Sequence, residues 1–429
     1  MNSLVKCTGT KFNGLNSSGN TDSLVKVDLD KWRAIDYNER LKKELKILER
    51  SKISDRNKNL ILKYMNYRLA DGVSVARVHR EIVSLRLLCE KFDVELEELD
   101  EDSLVVLLAK IETYGWKPAT VNEYKRDLRM LLRMIGKNEL ADKIRVRDVK
   151  DNDLTREDLL TVEEVLKLIS VAANHRDPAL IMCHLDLGCR PEELLTLRVG
   201  DFERDSYGIR VHIRRSKTTR RSPHLSFSIP YVVRWLEVHP LRDDPDAPMW
   251  LDLYNFNKRI VKPIDIYAYN RILDKLFRKA GIQKRKRFSP YKFRHTSITM
   301  WSAVLTEQEL VKRSGHVVGS KALRRYAKLV DIDTDKKILK ELGLLSEEEA
   351  EPEVKKLKPV QCNLCGEFNE PHRQRCWKCK AVLDPLKLAK EVIDEEIVEA
   401  VIDEPMQNQM KEKLKQMIKQ ILAEEGLLP

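Results

Sequence analysis

The chain has 429 residues, 42% of them hydrophobic and 34% charged, and its lysines and arginines outnumber aspartates and glutamates by 79 to 68, a net charge of +11. This length predicts about two to four domains. No apolar run approaches the roughly 18–20 residues of a membrane span, and residues 1–28 lack an apolar signal region, so we expect neither membrane insertion nor secretion.

The basic charge is concentrated in the middle of the chain, in clusters at 210–221 and 284–287, whereas acidic tracts follow Leu345. A basic excess alone can simply keep a protein soluble, but local clusters favour binding to nucleic acid. Four of the eight cysteines form one compact pattern, which is unlike the framework of a secreted disulfide protein. We therefore expect a cytoplasmic, nucleoid-associated protein.

The first third of the chain predicts a flexible leader at 1–31, a helical domain at 32–141 and a polar linker at 142–156. In the helical region, Ser54 and Asp102 are typical helix starts, and a helix beginning near Thr120 carries an apolar stripe. About four or five helices are expected. The last helix offers basic side chains that suit a DNA backbone: Lys125, Arg126, Arg129 and Arg133.

A mixed domain is predicted at 157–345, mostly helical with one small β-sheet. Apolar residues alternate with polar ones over 209–213 and again over 225–229, which indicates a β-hairpin. Lys217 falls in the turn of that hairpin, where a lysine most often only improves solubility.

Two arginines lie at predicted helix starts. Gly188 can end one helix and Pro191 can open the next, which places Arg190 at an N-terminus where backbone N–H groups favour an anion. The residues before Arg294 repeat this pattern, and a guanidinium binds phosphate through two parallel hydrogen bonds. The alternative for Arg190 is a surface salt bridge to Glu193.

Two further residues follow helix signals near the end of the domain. Thr306 begins a capping-box sequence and Gly315 is a typical helix stop, so His316 is expected at a turn. Tyr326 directly follows two arginines, which favours a phenol near a phosphate over an ordinary buried tyrosine.

Five residues of the mixed domain share an exposed predicted position and chemistry suited to a phosphodiester: Arg190, Lys217, Arg294, His316 and Tyr326. They offer two guanidinium groups, two proton-transferring groups and one hydroxyl nucleophile. No metal ion is needed for that chemistry.

After an acidic linker at 346–360, residues 361–384 carry two Cys-x-x-Cys pairs typical of a zinc ribbon: Cys362, Cys365, Cys376 and Cys379. Four thiolates at this spacing can close a tetrahedron around a structural Zn²⁺. The alternative, a redox Cys-x-x-Cys, requires one pair in a thioredoxin-like context.

The tail, residues 385–429, predicts an amphipathic helix with an apolar repeat at Met406, Met410, Leu414, Met417 and Ile421. Such a helix can fold back on its own domain. The alternative is that it packs on a neighbouring protomer.

The mixed domain resembles the tyrosine recombinases, or phage-type integrases, over about 160–335. The family motif Gly-x-Arg-x-x-Glu-Leu-x-x-Leu-x-x-x-Asp is matched from Gly188 to Asp201. The other family landmarks fall in order on Lys217, Arg294, Gly315, His316 and Tyr326. Region 32–141 is similar, more weakly, to the family's core-binding domain.

The resemblance implies a mainly α fold with a small β-sheet: an all-helical core-binding domain and a mixed α+β catalytic domain, followed here by the zinc ribbon and a C-terminal helix. It implies double-stranded DNA at a specific site as substrate, with a homotetramer assembled on it. Tyr326 would attack the scissile phosphate and leave a 3′-phosphotyrosyl bond and a free 5′-hydroxyl. Neither ATP nor a metal ion would take part.

The resemblance also assigns roles to the other residues. Arg190 and Arg294 would stabilise the pentacoordinate transition state, His316 would help to hold the phosphate, and Lys217 would protonate the departing 5′-oxygen.

One position departs from the family, because its His-x-x-Arg motif begins with Tyr291 in this chain. A phenol can donate a hydrogen bond to a phosphate oxygen, but its pKa near 10 makes it a poor base at pH 7. His316 and the neighbouring His295 are the alternative groups for proton removal. The spacing from His316 to Tyr326 is also one residue longer than the family pattern.

Three functions compete with a mobile-element integrase. A resolvase of chromosome or plasmid dimers would use the same residues. A DNA-binding protein that has lost cleavage is favoured by Tyr291, and a topoisomerase of the related type is weaker, because a monomeric clamp would not need the tail.

Overall fold

A computed structural model describes residues 24–147, 154–216, 219–283, 288–317, 319, 323, 326, 335, 338–346 and 351–384. The chain divides into two compact units, a helical unit at 33–156 and a second unit that combines the residues before 33 with those from 157 onward. Among the described residues, no helix is long and apolar enough to cross a membrane.

The described residues of the helical unit form an all-α domain, as expected, but with six helices rather than four or five. They are α1 Tyr37–Arg50, α2 Asp55–Ala70, α3 Val75–Phe92, α4 Glu101–Thr113, α5 Pro118–Met134 and α6 Asn138–Lys143. Helix α3 is central and packs against α1, α2 and α5. The core between them is built from aliphatic side chains such as Ile82, Leu85 and Leu128, each fully buried, so burial of the apolar stripes stabilises the unit.

Two expectations for this unit need correction. The N-cap of α4 is Asp100 rather than Asp102, and its carboxylate accepts a hydrogen bond from the backbone of Ser103. Lys125 is buried and paired with Glu112, so the prediction that it faces DNA is wrong. The apolar stripe of α5 is wide enough to bury the stem of this lysine, whereas Arg126 is exposed as predicted.

The second unit is built around a buried helix. Its α-helices are α7 Val162–Ser170, α8 Arg176–Leu187, α9 Pro191–Leu195, α10 Ile229–Val238, α11 Leu253–Phe256, α12 Ile266–Ala280, α13 Pro290–Ser302 and α14 Glu307–Ser314. Short 3₁₀ segments lie at Arg156–Asp158 and Val199–Asp201. Helix α8 is buried around almost its whole circumference and packs against α10 and α13. The packing of α8 therefore fixes the position of its C-terminal end, where the candidate site begins.

The expected β-hairpin is present in part. Strand β2 (Phe202–Asp205) pairs with β3 (Gly208–Val211), and an antiparallel bridge joins Arg210 of β3 to His224. A second bridge, between Ile213 and Arg221, lies just beyond the end of β3. The second predicted strand does not reach residue 229, because Ile229 begins α10 with Pro230 in its first turn. Lys217 lies outside the described residues.

The end of the predicted leader is bound rather than free. Strand β1 (Val25–Lys26) pairs in parallel with β4 (Ile260–Val261). Arg215 donates hydrogen bonds to the carbonyl oxygens of Leu29 and Trp32, at 2.5 and 3.0 Å. The apolar stretch involved is too short to give a periodic signal, so composition alone did not reveal this strand. The leader's residues 1–23 lie outside the described residues.

The cysteine segment adds a small hairpin, β5 (Val360–Gln361) with β6 (Phe368–Asn369), after a 3₁₀ helix at Glu353–Leu357. It packs within the second unit through ion pairs, since Glu367 lies 3.5 Å from Arg204 and buried Glu370 pairs with Arg234. The predicted tail helix at 385–429 lies outside the described residues.

Candidate active site

Arg190 is placed by two adjoining helix ends, as predicted. Helix α8 ends at Gly188 with a positive φ of 55°, and α9 begins at Pro191, which makes Arg190 the N-cap. A Cβ at residue 188 would lie 2.6 Å from Ser297 Oγ, so glycine is required there for close packing as well as for φ. Because α9 has five residues, its dipole is small and the guanidinium supplies most of the attraction for an anion.

Glu193 holds the arginines of the site in place. Its buried carboxylate accepts hydrogen bonds from Arg190 Nη1 at 3.0 Å, Arg221 Nη2 at 2.8 Å and Ser216 Oγ at 2.9 Å. The salt bridge considered as the alternative role of Arg190 therefore exists and belongs to the site. Burial opposes the charge of Glu193, but Arg221 and these hydrogen bonds outweigh it and keep its pKa below the usual value.

Arg294 joins two parts of the chain at the centre of the site. It is 4% exposed, and its Nη1 donates to the carbonyl oxygens of Gly188 at 2.7 Å and Ser314 at 2.8 Å. Its Nη2 lies 3.0 Å from His316 Nε2. Burial, followed by the nearby charge of Arg190, lowers the pKa of Arg294 to about 10.

His316 follows the predicted helix stop. Thr306 and Glu309 form the capping box of α14, and Gly315 ends it with a φ of 68°. Ser314 Oγ donates to Leu310 O at 2.6 Å, so it accepts from His316 Nδ1 at 2.8 Å, which leaves Nε2 to accept from Arg294. Burial, followed by the charges of neighbouring arginines, lowers the pKa of His316 to about 3, and the ring is therefore neutral at pH 7.

Tyr326 lies against two histidines. Its side chain is 3% exposed, and its Oη is 2.5 Å from His295 Nδ1. Its ring is edge-on to that of His316, with 6.3 Å between the centroids. The expectation of an exposed tyrosine is therefore wrong: the phenol is packed inside the site. The two arginines that precede it, Arg324 and Arg325, lie outside the described residues.

Tyr291 is half exposed, in the first turn of α13. It lies one helical turn before Arg294, so both face the same side of that helix. Ser289 occupies the N-cap as predicted, although its side chain makes no capping hydrogen bond.

The charges of this site are unbalanced. Among the described residues, Arg190 and Arg221 contact the carboxylate of Glu193, Arg294 lies near it, and the neutral His316 adds no charge. Mutual repulsion is visible in the lowered pKa of Arg294, which Arg190 helps to cause. An anion bound between these groups would relieve it.

Sequence reasoning did not single out two residues that organise the site. Arg221 was one of a basic cluster, but its side chain is buried and also donates from Nε to Arg313 O at 2.9 Å. Asp186 is fully buried and accepts from the backbone and hydroxyls of Ser226 and Ser228 at 2.7–3.1 Å, and from Arg313. An aspartate near the end of a largely apolar helix was the available signal.

The four cysteines form a separate candidate metal centre. Their Sγ atoms all lie within 4.8 Å of one another, with Cys362 and Cys379 at 3.5 Å and Cys365 and Cys376 at 3.6 Å. Tetrahedral zinc with Zn–S bonds of about 2.3 Å requires sulfurs about 3.8 Å apart. The thiol set therefore fits Zn²⁺.

The two halves of this centre repeat one backbone geometry. Gly366 N donates to Cys362 O at 2.8 Å, and Lys380 N donates to Cys376 O at 3.0 Å. Gly366 and Lys380 have φ values of 71° and 66°. Each Cys-x-x-Cys pair thus ends in the same turn, as two matched zinc knuckles do.

Residues 158–331 match the model of the phage integrase family. This mostly helical domain, with its clustered arginines, histidine and tyrosine, is a phage integrase, or tyrosine recombinase, domain. The match includes Arg190, Arg294, His316 and Tyr326.

Solved structures give weaker likenesses. XerH site-specific recombinase bound to difH substrate is 16% identical, with 70% of this chain and 94% of that chain covered and a TM-score of 0.45. A lambda integrase dimer bound to a COC′ core site is 14% identical, with 67% and 76% covered and a TM-score of 0.44. The Tn1549 transposon integrase in complex with circular intermediate DNA is 15% identical, with 70% and 98% covered and a TM-score of 0.43. No curated protein matches the chain.

Proposed function

We propose that this protein is a site-specific DNA recombinase that cuts and rejoins strands through a 3′-phosphotyrosyl intermediate. The observation that carries the proposal is the meeting of Arg190, Arg294 and His316 around the buried phenol of Tyr326, within a phage integrase domain. The excess of positive charge suits one phosphodiester, and the phenol supplies the nucleophile.

The steps follow from the chemistry of these groups. Tyr326 Oη attacks the scissile phosphorus while the bond from phosphorus to the 5′-oxygen breaks. Arg190 and Arg294 stabilise the charge on the non-bridging oxygens, and His316 helps to hold the phosphate indirectly, by accepting a hydrogen bond from Arg294 and orienting its guanidinium. Lys217 gives its proton to the departing 5′-oxygen. The 5′-hydroxyl of a second strand then attacks the phosphotyrosine, so the bond energy is retained without ATP.

Tyr291 stands where the family has a histidine. Its half-exposed hydroxyl, on the same face of α13 as Arg294, suits a hydrogen bond to a phosphate oxygen. Its high ordinary pKa makes it a positioning group rather than a base.

We further propose that Cys362, Cys365, Cys376 and Cys379 hold one structural Zn²⁺ and that catalysis needs no metal ion. The thiol separations support zinc, and Glu367 and Glu370 join the module to the second unit. Metal analysis should find one zinc ion per chain, lost in Cys376→Ser, together with a lower melting temperature. Retained zinc in that variant would contradict the site.

The substrate is double-stranded DNA at a specific site, and the active form is a tetramer on that DNA, in the cytoplasm. The tail at 385–429 is assigned to folding back on its own domain, with packing on a neighbouring protomer as the alternative. Deleting residues from 385 onward distinguishes these: a truncated chain that still assembles on DNA removes the second role.

A DNA-binding protein without cleavage is not favoured, because such a protein would have no use for a nucleophile buried beside two histidines. Between integrase and dimer resolvase, the chemistry is the same. The family match favours the integrase.

The test uses nicked duplexes randomised around the nick. After incubation and denaturation, wild-type protein should retain DNA through a covalent 3′ linkage, and Tyr326→Phe should retain none. Tyr207→Phe, at an 81% exposed tyrosine, is the control and should behave as wild type. Retarded complexes without any adduct from the wild-type protein would support the binding protein instead.

A further inference from the structure

The site as assigned so far lacks a proton acceptor for its nucleophile. Tyr291 is a phenol like Tyr326 and cannot serve as an efficient base at pH 7. His316 has both ring nitrogens engaged, Nδ1 with Ser314 and Nε2 with Arg294. Its pKa, lowered to about 3 by burial and by Arg294, also makes it a weak base.

A histidine outside the family motif fills this gap. His295 follows Arg294 on α13, and its Nδ1 lies 2.5 Å from Tyr326 Oη, within direct hydrogen-bonding distance. The two rings are tilted by 36° relative to each other, and their centroids are 5.7 Å apart. His295 is half-buried and Tyr326 is buried, which limits competition from water.

Other charged and titratable groups near this pair come from four segments. Arg294 lies beside His295 on α13, and its charge acts on Tyr326. His316, after α14, faces the ring of Tyr326. Arg190 and Arg221 lie close enough to lower the pKa of His316. These arginines favour the phenolate, while His295 Nδ1 is the nitrogen that touches the hydroxyl.

We propose that His295 is the general base that takes the proton from Tyr326 in strand cleavage, and so replaces the missing family histidine. This rests on the proposed function. As Oη bonds to phosphorus, its proton passes to Nδ1, so the ring begins neutral with its hydrogen on Nε2 and becomes an imidazolium. The bond to the 5′-oxygen breaks and Lys217 protonates that oxygen. In rejoining, His295 returns the proton to the departing phenol.

The sharpest variant is His295→Asn. An asparagine amide places a hydrogen-bonding atom near the former Nδ1, so it can orient the phenol, but it cannot accept a proton. Cleavage of a duplex selected by the wild-type protein should slow by about 10²–10³-fold in His295→Asn, nearly as much as in His295→Ala. Rejoining from the isolated covalent complex should slow in parallel.

The pH profile separates a base from a merely structural residue. Cleavage by His295→Asn should rise with pH toward the phenol pKa near 10, whereas wild-type cleavage should level off above the histidine pKa. His372→Asn, at an exposed histidine, is the control and should match wild type.

Two results would overturn the proposal: His295→Asn cleaving within about threefold of wild type, or sharing its pH profile. If the wild-type protein forms no adduct at all, the proposed function fails instead. A melting temperature for each variant shows whether a loss of rate reflects unfolding.

Discussion

The two units treat buried charge in opposite ways. In the helical unit, Glu81 and Asp127 are fully buried and are matched by Arg68 and Arg77, with contacts of 2.6–3.1 Å. In the site, Arg190 and Arg221 both contact the carboxylate of Glu193, and the buried guanidinium of Arg294 lies near it. The first network pairs its charges with one another in the free protein, whereas the second carries an excess of positive charge that a phosphodiester would balance.

The largest expected effect is on catalysis. Arg294→Lys keeps the positive charge but removes the planar group that reaches Gly188 O, Ser314 O and His316 together. We expect cleavage to fall by about 10³-fold. Single-turnover cleavage measures this, and DNA affinity should change little. Cleavage within tenfold of wild type would contradict the role of the guanidinium.

Breaking the ion-pair network of the helical unit should lower the stability of the protein rather than its cleavage rate. Glu81→Gln removes the charge that accepts hydrogen bonds from Arg68 and Arg77. Arg77 keeps its ion pair with Asp127, but Arg68 loses the carboxylate that it contacts. A loss of about 3 kcal/mol in the free energy of unfolding is expected, with the cleavage rate of the folded fraction unchanged. Urea denaturation measures it; the surface variant Glu98→Gln should lose less than about 1 kcal/mol. Equal losses would remove the distinction between the two networks.

The sequence predicts the position of a site residue only where neighbouring residues along the chain determine it. Arg190 at a helix start and His316 after Gly315 follow from residues within one turn, and the structure has both. The contact of Arg221 with Glu193 spans 28 positions, and that of His295 with Tyr326 spans 31. Pairings at such distances depend on how α8, α13 and α14 pack, which no local pattern contains.

Acid should destabilise the second unit. His184 and His316 have folded pKa values of about 3, set mainly by burial, below the ordinary 6.5, so the unfolded chain binds their protons first. Stability is therefore complete above pH 6.5 and falls as pH drops toward 3, by at most about 1.4 kcal/mol per pH unit for each histidine.

Urea denaturation between pH 4 and 7 tests this loss. His316→Asn should give a shallower slope, and His372→Gln, at an exposed position, an unchanged one. The same slope in all three proteins would exclude the buried histidines as its cause.

The smallest expected effect is the direct response to an anion. Inorganic phosphate at ten times its dissociation constant should stabilise the second unit by about 1.4 kcal/mol. Arg294→Lys should reduce that gain in stability, because a lysine cannot make the two parallel hydrogen bonds that a guanidinium makes with phosphate. Thermal unfolding in phosphate, compared with chloride at equal ionic strength, measures it. A gain of the same size in both proteins would place the anion elsewhere.

The most direct test of the central claim is the position of the covalent bond. The DNA complex formed with wild-type protein is trimmed with nuclease and digested with protease, and the modified peptide is sequenced by mass spectrometry. A nucleotide joined through its 3′-phosphate to Tyr326 is the predicted result. A 5′ linkage, or a bond to any other residue such as Tyr291, would contradict the account.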